Sequence, residues 1–446
     1  MVLALSVGLI GCGGGTTGPT PSDTIVIAAS SSESGPLQQI HDLAKKPIVE
    51  TYAAANPTIN GIPVEIDIDD DASLLSNMLD NTDNILDAIH DGTKHFLVGP
   101  TSTAYLERQA PLCSTAKVVQ MTMEGGATSL FAELENYEYS FVNLSFSNWF
   151  EIPVLAKMLA TTENWTAADH AYIGYQNDDH GAEYLTEATK YFAKENITID
   201  GSYAMDAGDV TAAPTMIGNA KAAGSAILCV FAYPEHVFGI HAISKGMAYE
   251  PKAVILGPGA NFGFYSLAIA GNATEGIMCF ATANNKTTGN AGDVIKTMEA
   301  AVGFPNTDYW GHPCYWAALD FIYAGAAAEG DFTTTPGKFT IDQTEFRSYL
   351  ASTKLDSAFD QTWYVTPDHA LNASQYSWDD DDLQFPVPDG YAGLMNYKCH
   401  TGEIGQWQDG YIEIVGYDDI GTGTDEYELT NYQVTAPFKY PKPLWP

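Results

Sequence analysis

The amino-acid sequence predicts an α/β protein of two lobes, each built on a parallel sheet flanked by helices. Its 446 residues exceed what one hydrophobic core ordinarily organises and suit two units of about 200 residues each. Residues 226–232 form a continuous apolar run of strand length, a helix is expected over about 235–246, and 253–256 is a second apolar run closed by Gly257-Pro258-Gly259. Strands apolar on both faces lie buried under helices, so both are expected to be parallel. A second unit ends in the same way. Residues 95–98 read as a strand that runs into Gly99-Pro100-Thr101-Ser102-Thr103-Ala104-Tyr105, a turn into a helix whose free N–H groups and hydroxyls suit an anionic group. Open α/β sheets hold ligands at the carboxyl ends of neighbouring strands, so these loops are expected to face one cleft.

Four segments stand in a characteristic order and spacing: V-G-P-T-S-T-A-Y at 98–105, A-Y-P-E at 232–235, G-P-G-A-N-F at 257–262 and G-N-A-T-E-G at 271–276. On these the chain resembles the type I periplasmic-binding-protein family, and within it the branched-chain amino acid and amide receptors of ABC importers. The resemblance extends from about residue 24 to 325 and is poor beyond 366. It implies two Rossmann-like lobes with parallel sheets joined by a three-strand hinge, a Venus-flytrap arrangement. Lobe one would then comprise 24–145 and 281–362, and lobe two 146–280 and 363–446.

In chain order, 24–29 is a strand, 30–35 a Ser-rich loop and 37–56 a helix, which make the first βα unit. A strand at 62–68 is followed by Asp69-Asp70-Asp71, read as caps of a helix over 73–90 rather than as cation ligands. The strand at 117–121 leads into 122–127, which in the family is a cleft loop contacting the ligand's carboxylate, here with Glu124, Gly125 and Gly126. Glycines permit close backbone approach. After a strand at 139–144, the segment 145–149 ending in Trp149 resembles the first crossover, with a helix over 150–160. The strand at 171–175 opens lobe two. Residues 176–181, including Asp179 and His180, resemble the family's loop before a helix at 183–195, where His180 takes the place of an aromatic ring that closes over the ligand. A helix over 207–224 and the strands already described complete the lobe, and 276–281 resembles the return crossover. Helices at 311–329 and 342–353 are assigned to lobe one, 360–366 to a third crossover, and the alternating Tyr, Ile and Val of 390–417 to hairpins on lobe two.

Net charge −37, from 56 acidic and 19 basic residues, opposes phosphate backbones, so nucleic acid is excluded as a partner. Residues 2–10 are apolar but too short to span a bilayer, and they end in Leu9-Ile10-Gly11-Cys12, which looks like a lipobox. Cys12 would carry the lipid, with 13–22 as a Gly/Thr/Pro tether, which makes residues 1–23 a signal and anchor and places the body outside the cytoplasm on a membrane. Six cysteines include no C-x-x-C, so neither a disulfide framework nor zinc is indicated; Cys229 and Cys279 are expected in core strands, with one bridge left open among Cys113, Cys314 and Cys399.

No catalytic constellation is present: H-E-x-x-H and G-x-S-x-G are absent, and Asp379–Asp382 lacks the pattern of a calcium loop. The expectation is therefore a receptor without cofactor or metal that captures a small polar solute and delivers it to an ABC permease. A ligand sensor or structural surface protein on the same fold is the alternative. The resemblance implies carboxylate binding by Thr101, Ser102 and Thr103, and contact of Tyr233 with the ammonium end. The branched-chain receptors carry a Glu at the position of Gly259 to pair with that ammonium, and Gly259 cannot. Glu124 and Asp179 are the candidate substitutes. The expected solute is a small carboxylate, amide or amino-acid-like molecule.

Overall fold

The computed structural model of the protein describes residues 21–122, 138–142, 147–268, 271–358, 360–364, 396–397, 403–416 and 434–445. The first sheet has the order β2-β3-β1-β4-β5-β6. Its strands are β1 (Ile25–Ser31), β2 (Thr58–Ile59), β3 (Ile62–Asp70), β4 (Phe96–Val98), β5 (Gln120–Thr122) and β6 (Ser140–Val142). All pairings are parallel except the β2 edge, with Ile27 set between Ile66 and Phe96.

The second sheet has the order β16-β15-β11-β10-β9-β7-β8. It is built from β7 (Ala171–Gln176), β8 (Ile199–Met205), β9 (Ile227–Phe231), β10 (Ala253–Gly257), β11 (Met278–Phe280), β15 (Ile404–Gln408) and β16 (Tyr411–Gly416). From β11 to β8 it is parallel, and the hairpin β15–β16 adds an antiparallel edge. Every residue of β9 and β10 is buried, as their unbroken apolar runs require of central parallel strands. A small antiparallel sheet joins β12 (Lys354–Ser357), β13 (Asp360–Tyr364) and β14 (Asn396–Tyr397).

The helices are α1 (Gln38–Ile40), α2 (Lys46–Ala55), α3 (Leu75–Asp91), α4 (Thr103–Ala116), α5 (Ser147–Thr161), α6 (Asp179–Lys194), α7 (Ala212–Ala223), α8 (Pro234–Val237), α9 (Ile240–Gly246), α10 (Tyr265–Ala268), α11 (Asn290–Val302), α12 (Gly311–Glu329) and α13 (Gln343–Ser352). A π-helical turn, His41–Lys45, joins α1 to α2.

Four expectations change. The helix foreseen over 235–246 is two pieces, α8 and α9. Strand β8 has no continuous apolar run because it lies at the sheet edge and alternates in exposure, and α7 starts five residues later than expected. The Asp69–Asp71 triplet does not cap α3: Asp70 and Asp71 extend from β3 to hold the loop before α1, accepting from Ser34 Oγ (2.8 Å) and Ser32 Oγ (2.6 Å). Cys113 and Cys314 are free and buried, as are Cys229 and Cys279 in β9 and β11; Cys12, Cys399 and Asp379–Asp382 lie outside the described residues. Of the expected crossovers, 276–281 contains β11, 147–149 is the first turn of α5 and 360–364 is β13, while 145–146 and 365–366 lie outside the described residues.

Asp320 on α12 accepts from the Tyr52 hydroxyl at 2.5 Å, and burial pushes its carboxyl up to about 7. A raised native pKa means that the folded state holds the proton more tightly. Stability from this group is therefore fully present below about pH 4 and lost as pH rises towards 7. The neutral histidines His41 and His95, pushed down to about 4 by burial, act in the opposite sense, so the informative quantity is the difference between variant and wild type. Asp320→Asn should match wild type at pH 4 and exceed it at pH 7 by on the order of 1–3 kcal/mol. Urea denaturation at the two pH values measures this, and a difference independent of pH would refute it.

Candidate ligand-binding cleft

The carboxyl ends of the two parallel sheets carry the loops singled out in the sequence. On the first sheet, β4 runs through Gly99 into α4, whose N-cap Ser102 accepts from the Tyr105 backbone N–H. A Cβ on Gly99 would stand 3.1 Å from Thr122 Cα, so a side chain there would push the turn away from β5. The buried Lys45 ammonium donates to the Gly99 carbonyl at 2.6 Å, holding the turn from below. Thr101 faces inward: its Oγ1 accepts from the Ser32 N–H at 3.2 Å and lies 3.4 Å from Ser31 Oγ, which itself sits 2.9 Å from His41 Nδ1. Thr101 therefore braces the Ser-rich loop, which leaves Ser102 and Thr103 at the mouth of the helix.

On the second sheet, α6 begins at Asp179, so Asp179, His180 and Gly181 belong to its first turn instead of a free loop. Asp178 is the reason, since its Oδ1 accepts the Gly181 N–H at 3.0 Å as an N-cap. Its other oxygen, Oδ2, accepts from the Tyr233 hydroxyl at 2.7 Å. Burial and the adjacent Asp178 carboxylate hold the Tyr233 phenol well above its ordinary range, so it stays protonated, while the backbone N–H and hydroxyl of Thr103 reach it from the start of α4. The His180 ring lies parallel to Tyr233, with centroids 5.9 Å apart. Burial lowers its pKa despite Asp178 and Glu183, and its Nε2 is buried without a hydrogen-bond partner.

Behind this point lies an aromatic wall. Tyr184 stacks on Phe231 (4.9 Å) and Phe280 (5.3 Å), and its ring edge meets His180. The buried Glu151 of α5 accepts from Tyr184 OH (2.9 Å) and from Trp310 Nε1 (2.7 Å) at the start of α12. Its carboxyl is pushed well above the ordinary range by burial.

The remaining sequence-predicted residues divide. Asp179 is exposed, and its pKa is raised by burial and by the like charges of Glu107, Glu183 and Asp178. Gly259 is buried at φ +132°, and a Cβ there would meet Val237 Cγ1 at 3.1 Å and Pro234 Cα at 3.3 Å. Trp149 sits on the first turn of α5, and Glu124, Gly125 and Gly126 lie outside the described residues. Reading the sequence missed Asp178, Glu151, Lys45 and Thr122, whose buried hydroxyl at the end of β5 has no partner. For Asp178 a signal exists in the sequence: an Asp immediately before a helical stretch is an N-cap candidate. Among the described residues no group of three or more His, Cys, Asp or Glu side chains forms a metal site, and no helix is long and apolar enough to cross a membrane.

The model of the periplasmic binding protein family matches residues 24–377. No curated protein matches the chain. Among solved structures, an extracellular ligand-binding receptor from Rhodopseudomonas palustris HaA2 is 16% identical with a TM-score of 0.66, over 87% of this chain and 99% of that one. A leucine binding protein from Thermotoga maritima MSB8 is 12% identical with a TM-score of 0.67, over 88% and 99%. A solute binding protein of an R. palustris ABC transporter, in complex with benzoate, is 13% identical with a TM-score of 0.63, over 88% and 96%.

Proposed function

This chain belongs to the periplasmic binding protein family, and from that premise we propose that it is an extracytoplasmic receptor for a small polar organic solute. The solute, a carboxylate, amide or amino-acid-like molecule, would be captured between the lobes and delivered to the permease of an ABC importer. The observation that carries this reading is the meeting of Thr103 from one lobe with Tyr233 and Asp178 from the other, at the carboxyl ends of both sheets. The relatives whose names or bound molecules include leucine and benzoate support the same class of solute.

The proposed mechanism is a hinged clamp, with 24–145 and 281–362 as one jaw and 146–280 and 363–446 as the other. Ligand binds one jaw, and its added contacts with the second stabilise closure by the difference in affinity between open and closed states. Ser102, Thr103, Tyr233 and His180 would touch the solute directly, and Thr101 would act through the Ser-rich loop. Cys12 would carry a lipid that holds the receptor at the membrane.

Native mass spectrometry of protein purified from its host tests both parts. A co-purifying solute of a few hundred daltons or less and a diacylated N-terminus beginning at Cys12 are expected. A protein that carries no solute and gains none from its growth medium would overturn the receptor reading, and an N-terminus that lacks Cys12 would overturn the anchor.

A further inference from the structure

We infer that Asn196 carries an N-linked glycan, and that among the sequons in the described residues it is the one built to accept it. This needs only the extracytoplasmic location that the family implies, where sugar is transferred to asparagine, and not the solute reading, so the two stand or fall separately.

The pattern Asn-x-Ser/Thr, with x other than Pro, occurs at 143–145, 164–166, 196–198, 272–274, 285–287 and 372–374. Transfer requires a free amide nitrogen on the Asn and a hydroxyl two residues on, so both must face solvent together. Asn143 and Asn372 lie outside the described residues. Three of the other four are committed to the fold. Asn285 Nδ2 donates to Glu299 Oε2 at 2.8 Å, and the buried Thr287 hydroxyl donates to Asn284 Oδ1 at 3.3 Å. Thr274 is buried, which hides the hydroxyl of the 272–274 sequon. Asn164 is exposed, but its Nδ2 donates to the Tyr440 carbonyl at 3.0 Å and so helps to hold the C-terminal segment in place.

Asn196 differs on each count. It follows the end of α6 in the left-handed region, at φ +61°, and its N–H donates to the Ala193 carbonyl at 3.1 Å. Ile197 next to it is buried and its N–H donates to the Phe192 carbonyl at 2.7 Å, which fixes the turn. Asn196 and Thr198 on either side are both exposed, and among the described contacts neither side chain makes a hydrogen bond. Helix termination accounts for an Asn at this φ. It asks nothing of position 198, where an exposed Thr completes the sequon.

The site also lies where a bulky group does no harm. Strand β8 begins at Ile199, and its parallel neighbour β7 begins at Ala171, so Asn196 stands at the amino end of the second sheet, opposite the cleft loops. The 16 residues of α6 separate it from Asp178, about 24 Å at a rise of 1.5 Å per residue. In the transfer the Asn196 Nδ2 attacks the anomeric carbon of a polyprenyl-phosphate-linked oligosaccharide. A C–N bond forms, the C–O bond to the lipid phosphate breaks, the phosphate leaves with the electron pair, and one Nδ2 proton is given up.

The test is mass spectrometry of the full chain purified from its host, intact and after trypsin. Peptide 195–221 contains this sequon alone, so a glycan mass on it, localised to Asn196 by electron-transfer fragmentation, is the expected result. The same mass should vanish from the intact protein in Asn196→Asp and in Thr198→Ala, and return in Thr198→Ser, which restores the hydroxyl. Aspartate tolerates the left-handed φ and Thr198 lies at the surface, so the variants should melt close to the enzymatically deglycosylated wild type, which separates a lost sugar from a lost fold. An unmodified peptide 195–221 from the host, a glycan that survives Thr198→Ala, or one carried by Asn285 in spite of its bond to Glu299 would each overturn the inference, and none of them touches the receptor reading.

Discussion

Gly181→Ala should destabilise the protein by roughly 3 kcal/mol or more, the upper end of what overpacking costs, because the added methyl has nowhere to go. A Cβ at this position would stand 2.0 Å from the Gln176 carbonyl oxygen and 2.6 Å from its N. Both atoms are backbone at the end of β7, so no rotamer change relieves the clash, and the first turn of α6 would have to lift off the strand. That movement also pulls the Gly181 N–H away from Asp178 and shifts His180, so solute binding should be lost together with stability. Gly218→Ala is the control. It lies inside α7 with nothing within 4 Å of its Cβ position, and there the change should stabilise by about 0.5–1 kcal/mol, as glycine-to-alanine substitution does in helix interiors. Urea denaturation of the two variants decides it: equal midpoints would mean that α6 does not rest on β7 as described.

The contrast between these glycines shows what a sequence carries and what it does not. The apolar runs of β9 and β10 and the long apolar helix α12 were legible because burial on every side leaves an unbroken hydrophobic signal. Strand β8, half exposed at a sheet edge, leaves only a weak alternation, too little to define a strand. At the cleft, the turn before α4 and Tyr233 were legible through their motifs. Asp178 and Asp179 are not told apart by the sequence, because two adjacent carboxylates look alike until the helix start is known. That start depends on the cap itself, a hydrogen bond of 3.0 Å that spacing only suggests. Glu151 was hidden for another reason: it stands among Phe150, Ile152 and Val154 as a lone acid in an apolar helix, and its partners Tyr184 and Trp310 are 33 and 159 residues away.

Removing that acid is the other change expected to have a large effect. Glu151→Ala leaves the Tyr184 hydroxyl and the Trp310 indole N–H without their acceptors in a buried site, and opens a cavity behind the aromatic wall. Each orphaned group costs about 1–3 kcal/mol and the cavity adds to it, so a loss of about 3–5 kcal/mol is expected. Because Tyr184 belongs to α6 and Trp310 to the start of α12, the break also uncouples the helix that carries His180 from α12. Glu151→Gln separates shape from charge. The amide oxygen accepts from the indole, the amide nitrogen donates to the phenol oxygen, and the fit is retained, so the loss at pH 5 should be under about 1 kcal/mol. The pH dependence then identifies the state of the native group. Burial holds the Glu151 carboxyl well above its ordinary value of 4.5, so wild-type stability from it is lost as pH rises beyond that value. The amide has no proton to lose, so Glu151→Gln should gain on wild type between pH 5 and pH 8. A difference between the glutamine variant and wild type that does not change from pH 5 to pH 8 would mean that Glu151 is already ionised in the folded protein at pH 5.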